Sequence, residues 1–311
     1  MARAEQTQGA GAFSVAVEND VLSGTDRGYT NGIVFTWVPP AGSAPEWAGR
    51  LVRSLPWASR KASVRHGYAI GQNMYTPRDI SLAVPPADDR PYAGWLYGTV
   101  GLATEAGDQF VQAAVTLGVV GPATRAGQVQ AAVHKITGSD RPQGWDTQLS
   151  NEPGIVLAYQ QARRNWITAS HAELGFDVTP YFGGALGNVY TYGGAGLTAR
   201  YGHGLPAYTG SPRSQPAFPA SRAFVPTPHF SWYVFATVDG RAVARNIFLD
   251  GNTFKDSPGV DRVPFVADVQ AGAVFTWRSM QLTYFHVIRT REFSTQGSTS
   301  GFGGLSLAIA L

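Results

Sequence analysis

Gln130 and His134 lie four residues apart in a stretch, 124 to 137, that reads as a helix. Gln128, Val129, Ala131, Ala132, Val133 and Ile136 are adequate helix formers, and Pro122 and Gly138 punctuate the ends. A spacing of four puts both side chains on one face, able to converge on one ligand. Asp140, Trp145, Gln148, Asn151 and Glu152 follow closely. A His near a carboxylate is the minimum for a general base that activates water, and a second carboxylate could hold a metal that polarises a carbonyl. A solitary helical His is more often structural, so the pair needs support from other residues.

Two further clusters offer it. Glu18, Asn19 and Asp20 precede Thr25, Asp26 and Arg27, then Tyr29, Thr30, Asn31 and Gly32. Oxygen-bearing side chains gathered in one hairpin suit a hard cation such as calcium; the same residue types also serve turn conformation alone. Gly71 to Pro77, which includes Gln72 and Tyr75, continues to Asp88, Asp89, Arg90, Pro91 and Tyr92. Arg78 and Arg90 could grip phosphate beside interfacial aromatics, or belong to a Pro-rich loop and an aromatic girdle. Other mechanisms lack support: no Gly-x-Ser-x-Gly elbow occurs, and with no Cys there is neither thiol nucleophile nor zinc ribbon. His66, His171, His203, His229 and His286 form no metal-ligand spacing.

The elements that must position these clusters repeat with a period of two. Val111, Ala113, Val115, Leu117 and Val119 make one continuous apolar face. Phe13 to Val17, Ile33 to Trp37, Val269 to Trp277 and Leu305 to Leu311 do the same. Twelve strands are expected, at about 11–21, 28–38, 65–76, 92–104, 109–119, 154–164, 166–179, 189–201, 228–240, 261–276, 279–291 and 301–310. If strands alternate in direction, the connections 19–28, 76–92 and 119–153 share one side, and they hold nearly all the clusters above. Residues 45 to 61 read as a short amphipathic helix carrying Trp47, Leu51 and Leu55 with Arg50, Arg53, Arg60 and Lys61, suited either to an anionic membrane face or to packing on a rim.

Composition narrows the class. Only 14% of the 311 residues are charged, against about 25% in soluble domains. The polar members of each strand are small rather than charged, which favours lipid outside and a filled or narrow interior. A spanning helix is excluded: the longest charge-free run, 178 to 199, carries Pro180, Asn188 and six glycines. A net charge of +3 without a block of like charge lacks the footprint of a nucleic-acid binder. The expected fold is therefore all-β, a twelve-stranded antiparallel transmembrane β-barrel with a short helix after strand 5. It would form a single domain, 11–311, after an N-terminal extension, 1–10.

Together the three clusters resemble the outer-membrane lipid A 3'-O-deacylases, twelve-stranded barrels of Gram-negative bacteria. The resemblance runs through Asn19-Asp20, Asp26-Arg27, Tyr29-Thr30-x-Gly32, Gln72, Tyr75-x-Pro77, Asp89-Arg90, Gly118-Val119-x-Gly121-Pro122, Gln130-x-x-x-His134, Gly138 and Trp145. It covers most of residues 11 to 160; beyond 160 only barrel character is shared. It implies a calcium-dependent esterase of the outer leaflet that removes the 3'-linked acyloxyacyl chain of lipid A. His134 would activate water and Ca2+ would stabilise the oxyanion, with Asn19, Asp20, Thr30 and Gln130 at active-site positions. Asp20 and Asp140 are the metal-ligand candidates, Asp140 standing where family members can have Glu. The family's Lys after Tyr75 has no counterpart, which leaves Arg78 and Arg90, with Gln72 and Tyr75, as substrate-binding candidates. The expected partner is lipid A or lipopolysaccharide, bound by a monomer in the outer membrane. The alternatives are a noncatalytic barrel, as a small pore or surface-binding protein, and a soluble glycan-binding sandwich.

Overall fold

The structure, a computed structural model, describes residues 10–20, 28–54, 62–210 and 217–311. Its strands are β1 (Ala12–Asn19), β2 (Gly28–Val38), β3 (Ser63–Thr76), β4 (Ala93–Ala106), β5 (Gln109–Val120), β6 (Glu152–Arg163) and β7 (Ile167–His171). They continue with β8 (Leu174–Gly187), β9 (Tyr190–His203), β10 (Thr227–Asn246), β11 (Phe265–Arg278), β12 (Met280–Arg289) and β13 (Ser300–Ala310). Three helices interrupt them: α1 (Glu46–Ser54), α2 (Ala126–Thr137) and α3 (Ile247–Asp250). Every strand except β6 pairs antiparallel with the strand that follows it, and β1 pairs with β13. The wall closes through β6 and β8, so twelve strands form the barrel and β7 hangs on β8 as a rim hairpin.

The strand expected at 166–179 is thus corrected. Ala172, at φ 53°, turns the chain between β7 and β8, and the spanning strand is Leu174–Gly187. Alternation runs unbroken enough through this region to hide a two-residue turn. The α1 reading is met over Glu46–Ser54, while 55–61 fall outside the described residues.

Outward positions are apolar: Val115 and Leu117 on β5, Phe35 on β2, Leu305 and Leu307 on β13, and Val269 and Phe275 on β11 are all exposed. Inward positions are polar and paired. Thr99 meets Thr116, Thr198 meets Thr237, and Gln112 donates to Gln160. In hydrocarbon every polar backbone group must be paired within the protein, and a closed antiparallel wall achieves this. A segment enters the lumen at each end. At one rim the turn Pro219–Arg222 folds inside, where Pro219 and Ala220 lie so close to Gly67 and Gly101 that a Cβ at either glycine would fall within 3.0 Å of them. At the other rim α3 buries Ile247, Phe248 and Leu249, with Phe248 stacked on Tyr75 at 4.0 Å.

The α3 rim is also where β1, β3 and β5 end, and charged contacts knit its loops together. Glu292, between β12 and β13, accepts from Arg289 at 3.2 Å and from Arg90 at 3.3 Å, and Arg289 also binds Asp268 at 2.9 Å. Arg90 lies over the rings of Tyr75 and Phe293, and Thr295 donates to the Asp88 carbonyl. Burial pushes the Glu292 carboxyl up, but Arg289, Arg90 and Arg241 outweigh it and hold the group below the usual glutamate value. A depressed carboxylate stabilises the fold above its unfolded value of about 4.3, and this contribution is lost as pH falls through the folded value. Glu292→Gln should therefore lower the thermal midpoint of the detergent-solubilised barrel at neutral pH, and the gap from wild type should close on acidification, as followed by circular dichroism.

Candidate active site

Strand register brings Asn19, Asn31 and Gln72, from the clusters at 18–32 and 71–92, to the outer surface of the wall. Asn19 pairs with Asn31, Asn31 with Met74, and Met74 with Gly94, so one cross-strand row runs from β1 to β4. By the alternation that exposes Val17, Phe35 and Ile70, every member of this row points outward. Glu18 is one residue out of phase and faces the lumen, and Asp20, just past the strand, is fully buried. The row below contains Val17, Ile33, Gln72, Leu96 and Val119, in which Gln72 is the single strongly polar member.

α2 lies against this outer surface. After β5 the chain turns at Gly121, φ 100°, whose N–H donates to the Gly94 carbonyl. The turn Pro122–Thr124 then receives a 2.7 Å hydrogen bond from Gln72 Nε2 on the Thr124 carbonyl. Met74, Ala126, Ile80, Tyr92 and Trp145 form a buried cluster that clamps the helix start to the wall. Gly94 permits the approach, since a Cβ there would lie 2.1 Å from Thr124 Oγ1 and 2.6 Å from Ala126 Cβ. The helix ends at Gly138, φ 75°, whose N–H caps the His134 carbonyl.

Ala126, Gln130 and His134 are the buried line of α2, at intervals of four. The expected shared face is thus present. His134 Nδ1 lies 2.5 Å from the Asp140 carbonyl. A carbonyl only accepts, so Nδ1 carries a proton, and it is Nε2 that would hold the lone pair when the ring acts as a general base. Trp145 Nε1 donates to Gln130 Oε1 at 2.7 Å. Indole only donates, which fixes the amide orientation and leaves Gln130 Nε2, buried and without a hydrogen-bond partner among the described residues, as a donor.

Other candidates are sorted by side of the wall. Tyr75 points inward, bonded to Tyr190 at 2.6 Å, and Arg90 is buried beneath the loops on Glu292. Neither meets the outer row. Arg78 is half-exposed beside Asp89, at the edge of a rim pocket that also takes in Thr76, Gln296, Ser298 and Ser300. Asn151 accepts from the Ala123 N–H, and Glu152 from Asn188, Asn252 and the Thr253 N–H, which makes both loop-building residues. Asp26 lies outside the described residues, as does the side chain of Thr30.

Among the described residues no three His, Asp or Glu side chains gather as a metal site. The oxygen donors at the end of β1 and the start of β2 are the Asp20 carboxylate and the amides of Asn19 and Asn31, hard donors that fit calcium in kind and not zinc. Asp140 is exposed, and its carbonyl is engaged by His134.

The model of the outer membrane protein LpxR family matches residues 1–311. The chain belongs to the LpxR family. Among solved structures, LpxR from Salmonella typhimurium superposes with a TM-score of 0.78 at 19% identity, covering 96% of this chain and 100% of that one. The β domain of the Bordetella autotransporter BrkA gives a TM-score of 0.49 at 8% identity, over 98% of this chain and 100% of that one. By sequence, no curated protein matches. Membership in the LpxR family makes the barrel an integral outer-membrane protein, as the resemblance over residues 11 to 160 implied.

Within this LpxR-family barrel, sequence reasoning missed the residues that seat α2. Gly94, Met74 and Gly127 carry no chemical signal; Gly127 matters because a Cβ there would lie 2.7 Å from the Trp145 ring. One signal was available: Gln72 is an amide on an otherwise lipid-facing row. Gly94→Val should unseat α2 at a cost of roughly 1–3 kcal/mol. Limited proteolysis should then cut within 121–145, while the barrel keeps its heat-modifiable migration on gels.

Proposed function

We propose that this protein hydrolyses an acyl ester of lipid A at the outer surface of its wall, as a lipid A 3'-O-deacylase. The observation that carries the reading is the pair on the buried face of α2. His134, whose Nδ1 donates to the Asp140 carbonyl, stands one helical turn from Gln130, whose Nε2 donor has no hydrogen-bond partner among the described residues. Family membership supplies the context.

In this mechanism Nε2 of His134 takes a proton from water as the water attacks the ester carbonyl, and later returns it to the leaving alkoxide. Gln130 Nε2 donates to the oxyanion that develops, fixed in advance by Trp145 so that no reorganisation is needed. Asn19 and Asn31 line the outward row on which the ester would rest, with Asp20 buried beside its end, and Thr30 is proposed as a further site residue. A calcium ion held by Asp20 with neighbouring amide and carbonyl oxygens would add positive charge beside that oxyanion. Because the site lies on the lipid side of the wall, the fatty chains can stay in the membrane while the ester reaches α2. Arg78 is the exposed cation for substrate phosphate; Arg90 serves as the loop clamp. Against the pore alternative stand the segments that narrow the lumen at both ends, α3 and the turn Pro219–Arg222.

Mass spectrometry of lipid A incubated with the purified barrel tests this reading. Wild type should release the 3'-linked acyloxyacyl group, and chelation should stop the reaction until calcium is restored. His134→Ala should lower kcat by about 10²–10⁴ with folding intact, and Gln130→Ala by about 10²–10³. Arg78→Ala should raise KM and leave kcat nearly unchanged. An unaltered acyl pattern with wild type would favour a noncatalytic barrel.

A further inference from the structure

α2 has three faces, of which the site uses one. Its buried line, Ala126, Gln130 and His134, rests on the wall. Gln128 and Lys135, seven residues apart, share a second, polar face and are exposed. Val129, Ala132 and Ile136, spaced three and four apart, share a third. All three of these are exposed, Val129 to 38% and Ile136 to 85%. An apolar stripe of this kind on a helix whose neighbouring faces are buried and charged calls for an apolar neighbour.

The register identifies that neighbour. α2 is seated on Met74 and Gly94, which point outward from β3 and β4, so the helix lies on the same side of the wall as the lipid belt. The belt continues directly beneath it in Leu96, Leu117 and Ile155, the last two exposed. Nearby on the same rim, Leu82 and Val84 of the β3–β4 loop are also exposed, and Gly144, which follows α2, packs against the Leu82 carbonyl.

We propose that the stripe Val129, Ala132 and Ile136 is a lipid-contacting surface. It inserts α2 sideways into the leaflet at this rim, with acyl chains as its occupant and Gln128 and Lys135 turned to water. The inference rests on the outer-membrane location and on the seat of α2, and not on the deacylase reading. If that reading holds, the same insertion places His134 at the boundary where an acyl ester lies.

The chain has no Cys, so single-Cys labelling needs no background substitutions. Val129→Cys, Ile136→Cys and Lys135→Cys would each carry an environment-sensitive fluorophore in phosphatidylethanolamine–phosphatidylglycerol vesicles. Nitroxide on the lipid acyl chain should quench labels at 129 and 136 and spare 135; aqueous iodide should do the reverse. Iodide quenching at 129 and 136 would overturn the proposal. So would protection from both quenchers, which would mean a protein cover such as a second copy. Ile136→Asp supplies an independent readout: it should slow deacylation of vesicle-embedded lipid A while sparing detergent-dispersed lipid A. Equal rates in both settings would count against insertion, whereas absence of wild-type turnover would fail the deacylase reading and leave the quenching result standing.

Discussion

A polar side chain on a lipid-facing wall must find its partner within the protein, and Gln72 finds one in the Thr124 carbonyl. An unpaired amide there would cost roughly 1–3 kcal/mol. That hydrogen bond draws the β5–α2 connection down over the outer edge of the barrel, and Gly94 provides the room. Everything proposed for the site follows from this placement. With α2 moved into the lumen or lifted into solvent, Gln130 and His134 would lose the outer wall of β3 and β4 on which the helix rests.

The interior plays a different part. Several of its inward residues pair with one another, and the segments Pro219–Arg222 and α3 enter it at its two ends. Arg90, Glu292 and Arg289 draw the rim loops together from within. A barrel filled in this way holds its strands in fixed register, and register is what aligns Asn19 with Asn31 and Met74 across three strands. The lumen and the outer row are thus two sides of one requirement, since a site assembled from neighbouring strands is only as well placed as their pairing.

Most of the fold was legible because lipid and lumen impose opposite chemistry on alternate residues, and Val111 to Val119 shows that period plainly. The turn at Ala172 was not, because the residues on both sides of it continue the alternation. In the site, the shared face of Gln130 and His134 was legible from helical spacing alone. The side of the wall on which Tyr75 and Arg90 fall was not: adjacent strand residues point to opposite faces, and a β-bulge between Tyr29 and Asn31 changes the register just where the first two clusters meet. Motif proximity therefore grouped Gln72 with Tyr75, three residues apart, although they face opposite sides of the wall.

The Gln130–Trp145 contact shows why residue 130 must be an amide for the proposed chemistry. Indole N–H donates and cannot accept, so whatever stands at 130 must offer it an oxygen. A glutamate could do so equally well and would preserve the packing of Trp145 on α2. It would then present its second oxygen where glutamine presents Nε2, placing a carboxylate lone pair against an oxyanion in a buried setting. Glutamine, unlike glutamate, accepts from indole at one end and donates at the other. The same hydrogen bond that fastens Trp145 to the helix thereby aims the donor.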